Sequence, residues 1–127
     1  MVEIIHKSLS DVIIDTAFSV QKELGVRFLE KIYENSLEIA LIEKDFSVEK
    51  QKKIKVVFHN QIVGEYYADL VIEDKIILEL KAVNEVSKIH QAQLINYLKA
   101  TEHEVGYLIN FGKIPLQFKR FVSKNNQ

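Results

Sequence analysis

The chain has 127 residues, 47% of them hydrophobic and 28% charged, the composition of an ordinary globular domain long enough to bury a core. Its 17 Lys and Arg against 18 Asp and Glu leave a net charge of −1, so affinity for nucleic acid cannot come from bulk charge and would need a local basic patch or a bound cation. Cysteine is absent, which excludes disulfides and thiolate metal sites; without a signal-peptide pattern or an apolar run of about twenty residues, the expectation is one cytoplasmic domain over residues 1–127 with no membrane association.

The chain opens with a helical pattern. Ser8 and Asp11 have capping-box spacing, and Ile13, Ala17, Val20 and Leu24 recur at helical period, with Ile14 and Phe18 widening the stripe. Gly25 is placed to end this helix in a left-handed conformation. A second helix is expected over about 28–44, with an apolar arc of Leu29, Ile32, Tyr33, Leu37, Ala40 and Leu41. At 100° per residue Glu30 falls inside that arc, Glu34 at its edge, and Lys31 and Glu38 outside it. The helix dipole favours a carboxylate in the first turn, but it does not explain one on the buried face. Glu30 is therefore a candidate functional residue.

Residues 45–53 read as a charged connection in which Lys50, Lys52 and Lys53 cluster, either solvated or facing phosphate. Residues 54–58 form a β-rich run, His59-Asn60-Gln61 a hairpin connection, and 62–72 the next strand, with Gly64 marking a bulge or a close backbone approach. Glu73-Asp74-Lys75 is a tight polar turn into a third strand over 75–83, which completes an antiparallel meander. Along that strand Ile76, Leu78, Leu80 and Ala82 share one face, and Ile77, Glu79, Lys81 and Val83 the other. Two opposite charges thus project from one side of a strand apolar enough to be covered on both. Either this is an edge strand with a solvated ion pair, or Asp69 and Glu79 are metal ligands with Lys81 beside them.

After Asn84 the period returns to helical. Ser87 can cap a helix from Lys88 to about Ala100, with Leu94, Tyr97 and Leu98 on its apolar side and Gln93 stacked on Tyr97 at i and i+4. Residues 105–111 read as a buried strand and 112–115 as a turn. Residues 116–122 fit a strand or a short helix, and 123–127 a frayed tail.

The order α-α-β-β-β-α-β-β carries Glu30, Asp69, Glu79-x-Lys81 and Gln93-x-x-x-Tyr97. This set resembles the PD-(D/E)XK nuclease superfamily, and Gln-x-x-x-Tyr resembles its exonuclease-like branch. More closely, residues 24–33 (LGVRFLEKIY), 68–71 (ADLV), 90–94 (HQAQL) and 106–111 (GYLINF) look like the small bacterial GxxExxY proteins. Glu30 and Tyr33 stand in that motif, while Arg27 replaces its Gly and loses a permissive backbone position.

The resemblance implies an α/β, restriction-endonuclease-like three-layer fold, a mixed central sheet flanked by helices. It also implies a nuclease cutting DNA or RNA with Mg²⁺ or Mn²⁺. Phosphodiester hydrolysis needs charge neutralisation and a nucleophilic water, and a divalent cation serves both. Mg²⁺ binds through one or two carboxylates and keeps several waters. Asp69, Glu79 and the Leu80 carbonyl would hold it, and Glu30 would hold a second ion or a metal water. Lys81 would orient the attacking water or stabilise charge on the phosphate, and Gln93 would support Lys81 or a phosphate. Tyr97 would pack behind Gln93, and Tyr33 is a second supporting residue. A catalytically silent module binding nucleic acid or a protein is the alternative, and a homodimer through an exposed sheet edge stays open.

Overall fold

The computed structural model describes residues 4–123. Its elements run α1 (Lys7–Leu24), α2 (Glu30–Ile42), β1 (Val48–Phe58), β2 (Gln61–Ile72), β3 (Ile76–Lys81), α3 (Lys88–Ala100), β4 (Val105–Asn110) and β5 (Gln117–Val122). The strands form one sheet in the order β1-β2-β3-β4-β5. Only β3 and β4 pair in parallel, joined through α3; the other neighbours are antiparallel. The sheet is therefore mixed, as the resemblance implied.

Local chemistry sets the turns. Gly25, at φ 80°, ends α1 with its N–H on the Gln21 carbonyl at 2.7 Å. His59 and Asn60 both take left-handed angles (φ 48° and 63°) in the two-residue turn between β1 and β2, as that twist requires. Glu73 and Asp74 do the same between β2 and β3. The ladder slips between Val56 and Val57, opposite Gly64, where a bulge was one of two expectations. Ser87 caps α3, its hydroxyl accepting from the His90 N–H at 3.3 Å.

Two apolar clusters make three layers. On one face α1 and α2 supply Ile13, Ala17, Tyr33, Leu37 and Leu41, which pack on Leu70, Ile76, Leu78, Leu80 and Ile109. On the other, Leu94 and Leu98 of α3 pack on Ile77, Ala68 and Leu108. β3 lies at the centre, between β2 and β4, so the edge-strand alternative falls. Its four fully buried Ile and Leu side chains each contribute roughly 1.5–3 kcal/mol. That sum outweighs the few kcal/mol typical of a poorly solvated polar group. The strand can therefore carry Glu79 without losing its place.

Three local expectations are corrected, and one left open is resolved. α1 begins at Lys7 behind His6 with no side-chain cap, so Ser8 and Asp11 lie inside the helix and Asp11 instead pairs with Lys7 at 2.6 Å. α2 begins at Glu30, two residues later than expected; Leu29, outside the helix, is 80% exposed and Ile32 is also exposed. The charged connection is shorter than 45–53, because β1 starts at Val48. Residues 117–122 are a strand, not a helix. Beyond Ser123 the expected tail lies outside the described residues. Among those residues, no helix is long and apolar enough to cross a membrane.

Candidate functional site

Strand alternation puts Glu79 and Lys81 on the face of β3 shared with Ile77, the face that α3 covers. Asp69, on β2, accepts a hydrogen bond at Oδ2 from the backbone N–H of Leu80, 2.8 Å away. That peptide lies between Glu79 and Lys81, so both motifs share one short stretch of neighbouring strands. Burial raises the Glu79 carboxyl most, and repulsion from Asp69 adds to it, pushing its pKa up to about 8. Asp69 is raised too, by burial first, although the Leu80 N–H, Gln51 and Lys81 oppose the shift. Glu30, half-buried at the start of α2, is raised by burial and by Asp69 and Glu34, and lowered by Lys81. Lys81 thus acts electrostatically on all three carboxylates.

Three residues that the sequence reading left out of the site, Glu34, Gln51 and Tyr66, belong to this neighbourhood. Glu34, expected at the edge of its arc, is 3% exposed. It accepts from Gln51 Nε2 at 2.9 Å and pairs with Lys31 at 2.8 Å. Gln51 Nε2 also reaches Asp69 Oδ1 at 3.2 Å, so one amide stands between two carboxylates. The left-handed backbone of Gln51 (φ 51°) accompanies this turn inward from β1. The available signal was the i, i+4 spacing of Glu30 and Glu34, which puts both on one helix face.

Tyr66 is the third residue missed. Its ring stacks on Tyr97, which places Tyr97 beside β2. Gln93 is exposed and its side chain makes no hydrogen bond among the described residues, so the structure does not join it to Lys81. Three buried side-chain atoms in the described chain lack a hydrogen-bond partner, and two of them, Glu79 Oε1 and Tyr66 Oη, belong to this site. Burial and the charge of Glu79 both raise the Tyr66 hydroxyl, so it stays a donor at neutral pH. Tyr33 serves the backbone: its hydroxyl donates to the Gly25 carbonyl at 2.5 Å and accepts from the Phe28 N–H at 3.3 Å. Its ring lies parallel to Phe111, centroids 4.7 Å apart. The segment leading into α2 is clasped there.

A family model of the PD-(D/E)XK nuclease superfamily matches residues 7–121. The chain belongs to that superfamily. No curated protein and no solved structure matches it. Members of the PD-(D/E)XK superfamily are generally dependent on a divalent metal and act on nucleic acid.

The donor set can be tested against such an ion. Among the described residues no three His, Cys, Asp or Glu side chains are grouped to hold a metal, so Glu30 does not join Asp69 and Glu79 in one ligand set. A pair of carboxylates is enough for a hard cation that keeps several waters. The buried, unpartnered Glu79 Oε1 beside Asp69 is the feature a cation would satisfy. The pair fits.

Proposed function

We propose that the chain is a Mg²⁺-dependent nuclease whose single domain hydrolyses phosphodiester bonds of DNA or RNA, with Mn²⁺ able to replace Mg²⁺. The observation that carries this reading is the orphaned Glu79 Oε1, buried next to Asp69 in a superfamily of nucleases. Asp69, Glu79 and the Leu80 carbonyl would hold the ion, and Glu30 a water at its edge. When bound, the cation supplies charge neutralisation and lowers the pKa of a water.

Lys81 places a positive charge beside those carboxylates, where it can orient the attacking water and stabilise charge growing on the phosphate. Tyr66 Oη offers a buried donor that no protein group uses, suited to a phosphate oxygen or to Glu79. Gln93, exposed on α3, is free to meet a substrate phosphate. Tyr97 backs Tyr66, and Tyr33 holds the lead-in to α2. That clasp also supports membership of the GxxExxY group, in which Glu30 and Tyr33 keep their motif positions although Arg27 replaces the glycine.

The test is incubation of labelled single- and double-stranded DNA and RNA with Mg²⁺, Mn²⁺ or EDTA. Metal-dependent cleavage by the wild type, lost in both Asp69→Ala and Glu79→Ala, is expected. Two observations favour the silent binding module instead, the ungrouped third carboxylate and the solitary Gln93. Binding of nucleic acid without cleavage under any metal would select it.

A further inference from the structure

A cavity lies next to the carboxylate pair on the same side of the sheet. The register sets Glu79 beside Leu108 and Leu108 beside Lys119; further along, Lys81 faces Asn110 and Asn110 faces Gln117. Strands stand about 4.8 Å apart, so Lys119 begins roughly 10 Å from Glu79. Over these strands a cavity of about 320 Å³ is lined by Gln91, Leu108, Lys113, Gln117 and Lys119, with Glu85 exposed at the rim.

Buried polar groups fix its walls. Asn110, 1% exposed, accepts from the Val83 and Gly112 N–H groups, each at 3.0 Å. It donates to the Val83 carbonyl at 2.9 Å and to Gln117 Oε1 at 3.0 Å. Both donors and both acceptor positions are thereby used. The knot ties the segment after β3 to the turn after β4 and to the start of β5. A Cβ on Gly112 would stand 2.5 Å from the Val83 N and O atoms, so only glycine fits there. Gln21 Nε2 anchors the same turn through the Phe111 and Lys113 carbonyls, at 3.1 and 2.8 Å.

Lys119 is held in place, and neither lysine is neutralised by a carboxylate. Lys119 Nζ donates to Gln91 Oε1 at 3.2 Å and lies 5.6 Å from the centroid of Phe121. Among the described residues neither Lys113 nor Lys119 forms an ion pair. Two ammonium groups and two side-chain amides, facing one rim carboxylate, call for an anion with several acceptor oxygens. Next to a site that cuts phosphodiesters, that anion is the adjoining backbone of the same strand.

We propose that this cavity is a second phosphate subsite, where Lys113 and Lys119 grip the substrate strand beside the bond to be cut. The proposal rests on the nuclease reading and adds to it the path the strand takes, across β4 and β5.

The experiment is fluorescence anisotropy of a short labelled single strand, DNA and RNA, titrated in EDTA over a range of salt. Lys113→Ala and Lys119→Ala should each weaken binding roughly three- to tenfold and lower the log–log salt slope by about 0.7. Lys113→Glu combined with Lys119→Glu should weaken it by more than tenfold. Both side chains are exposed, so melting curves should match the wild type. Lys75→Ala, on the β2–β3 turn, should bind as the wild type does. Wild-type affinity and slope in the Lys113 and Lys119 variants of a protein that cleaves would overturn the subsite and leave the nuclease standing. A wild type that neither binds nor cleaves would overturn both.

Discussion

The Asp69 carboxylate is held by the Leu80 backbone N–H at 2.8 Å, so the carboxylate offered by β2 is positioned by the strand that carries Glu79 and Lys81. Two effects in Asp69 can be separated by substitution. Asp69→Ala removes both charge and acceptor and leaves a partly buried N–H unmet, a cost of about 1–3 kcal/mol. Asp69→Asn keeps an acceptor and removes only the charge that repels Glu79. Both variants should lose cleavage while staying folded. In metal-free thermal melts Asp69→Asn should match or exceed the wild type, and Asp69→Ala should fall a few degrees below Asp69→Asn. Equal melting temperatures in the two would mean that the Leu80 hydrogen bond contributes nothing.

Tyr33 offers a purely structural check. Tyr33→Phe keeps the stack on Phe111 but leaves the Gly25 carbonyl and the Phe28 N–H without their partner. The expected loss is about 1–2 kcal/mol. For a domain of this size that lowers Tm by roughly 3–6 °C. An unchanged melt would show that the clasp is idle.

What could be read in the sequence was what one element decides for itself. Period-two alternation put Glu79 and Lys81 opposite Leu78 and Leu80, and the two faces of β3 are indeed covered by different helices. Gly25 and Ser87 end or begin helices through their own backbone or hydroxyl. The face of Glu34 was legible from its i, i+4 spacing to Glu30, but its partner Gln51, seventeen residues away on another element, was not. Leu29 was misassigned for a related reason: the turn after Gly25 delays the helix until Glu30, so Leu29 never joins the arc. Tyr66 read as one more β-former; only the fold leaves its hydroxyl buried near Glu79. Asn110 stands inside the strand expected over 105–111, and its four hydrogen bonds exist only once three segments meet.

The acidity of Glu79 fixes a pH dependence for the metal-free protein. Its folded pKa, about 8, lies above the ordinary carboxylate value of 4.5, so the folded state binds the extra proton between those two values. Stability falls with pH wherever the native state holds more protons than the unfolded one. The contribution is fully present below about 4.5 and is lost as pH rises through about 8; Asp69 and Glu30, raised in the same direction, add to the decline. Melts in EDTA from pH 5 to pH 9 should therefore slope downward for the wild type and less steeply for Glu79→Gln. Parallel curves for the two proteins would place the Glu79 proton elsewhere.

The metal itself can be tested without knowing the substrate. Mg²⁺ or Mn²⁺ bound to the folded state stabilises it by RT ln(1 + [L]/Kd), about 1.4 kcal/mol at roughly ten times Kd. That raises Tm by roughly 3–6 °C in a domain of this size. Because Glu79 must lose a proton before it can serve as a charged ligand, the shift should be larger at pH 8.5 than at pH 6. Glu79→Gln and Asp69→Asn each remove one charge of the pair and should cut the response by more than half. Glu102→Gln, exposed beyond α3, should leave it intact. The measurement is a thermal scan with and without millimolar Mn²⁺ at matched ionic strength. If the wild type, Glu79→Gln and Asp69→Asn shift alike, the ion binds away from this pair, and the silent binding module becomes the better account of the site.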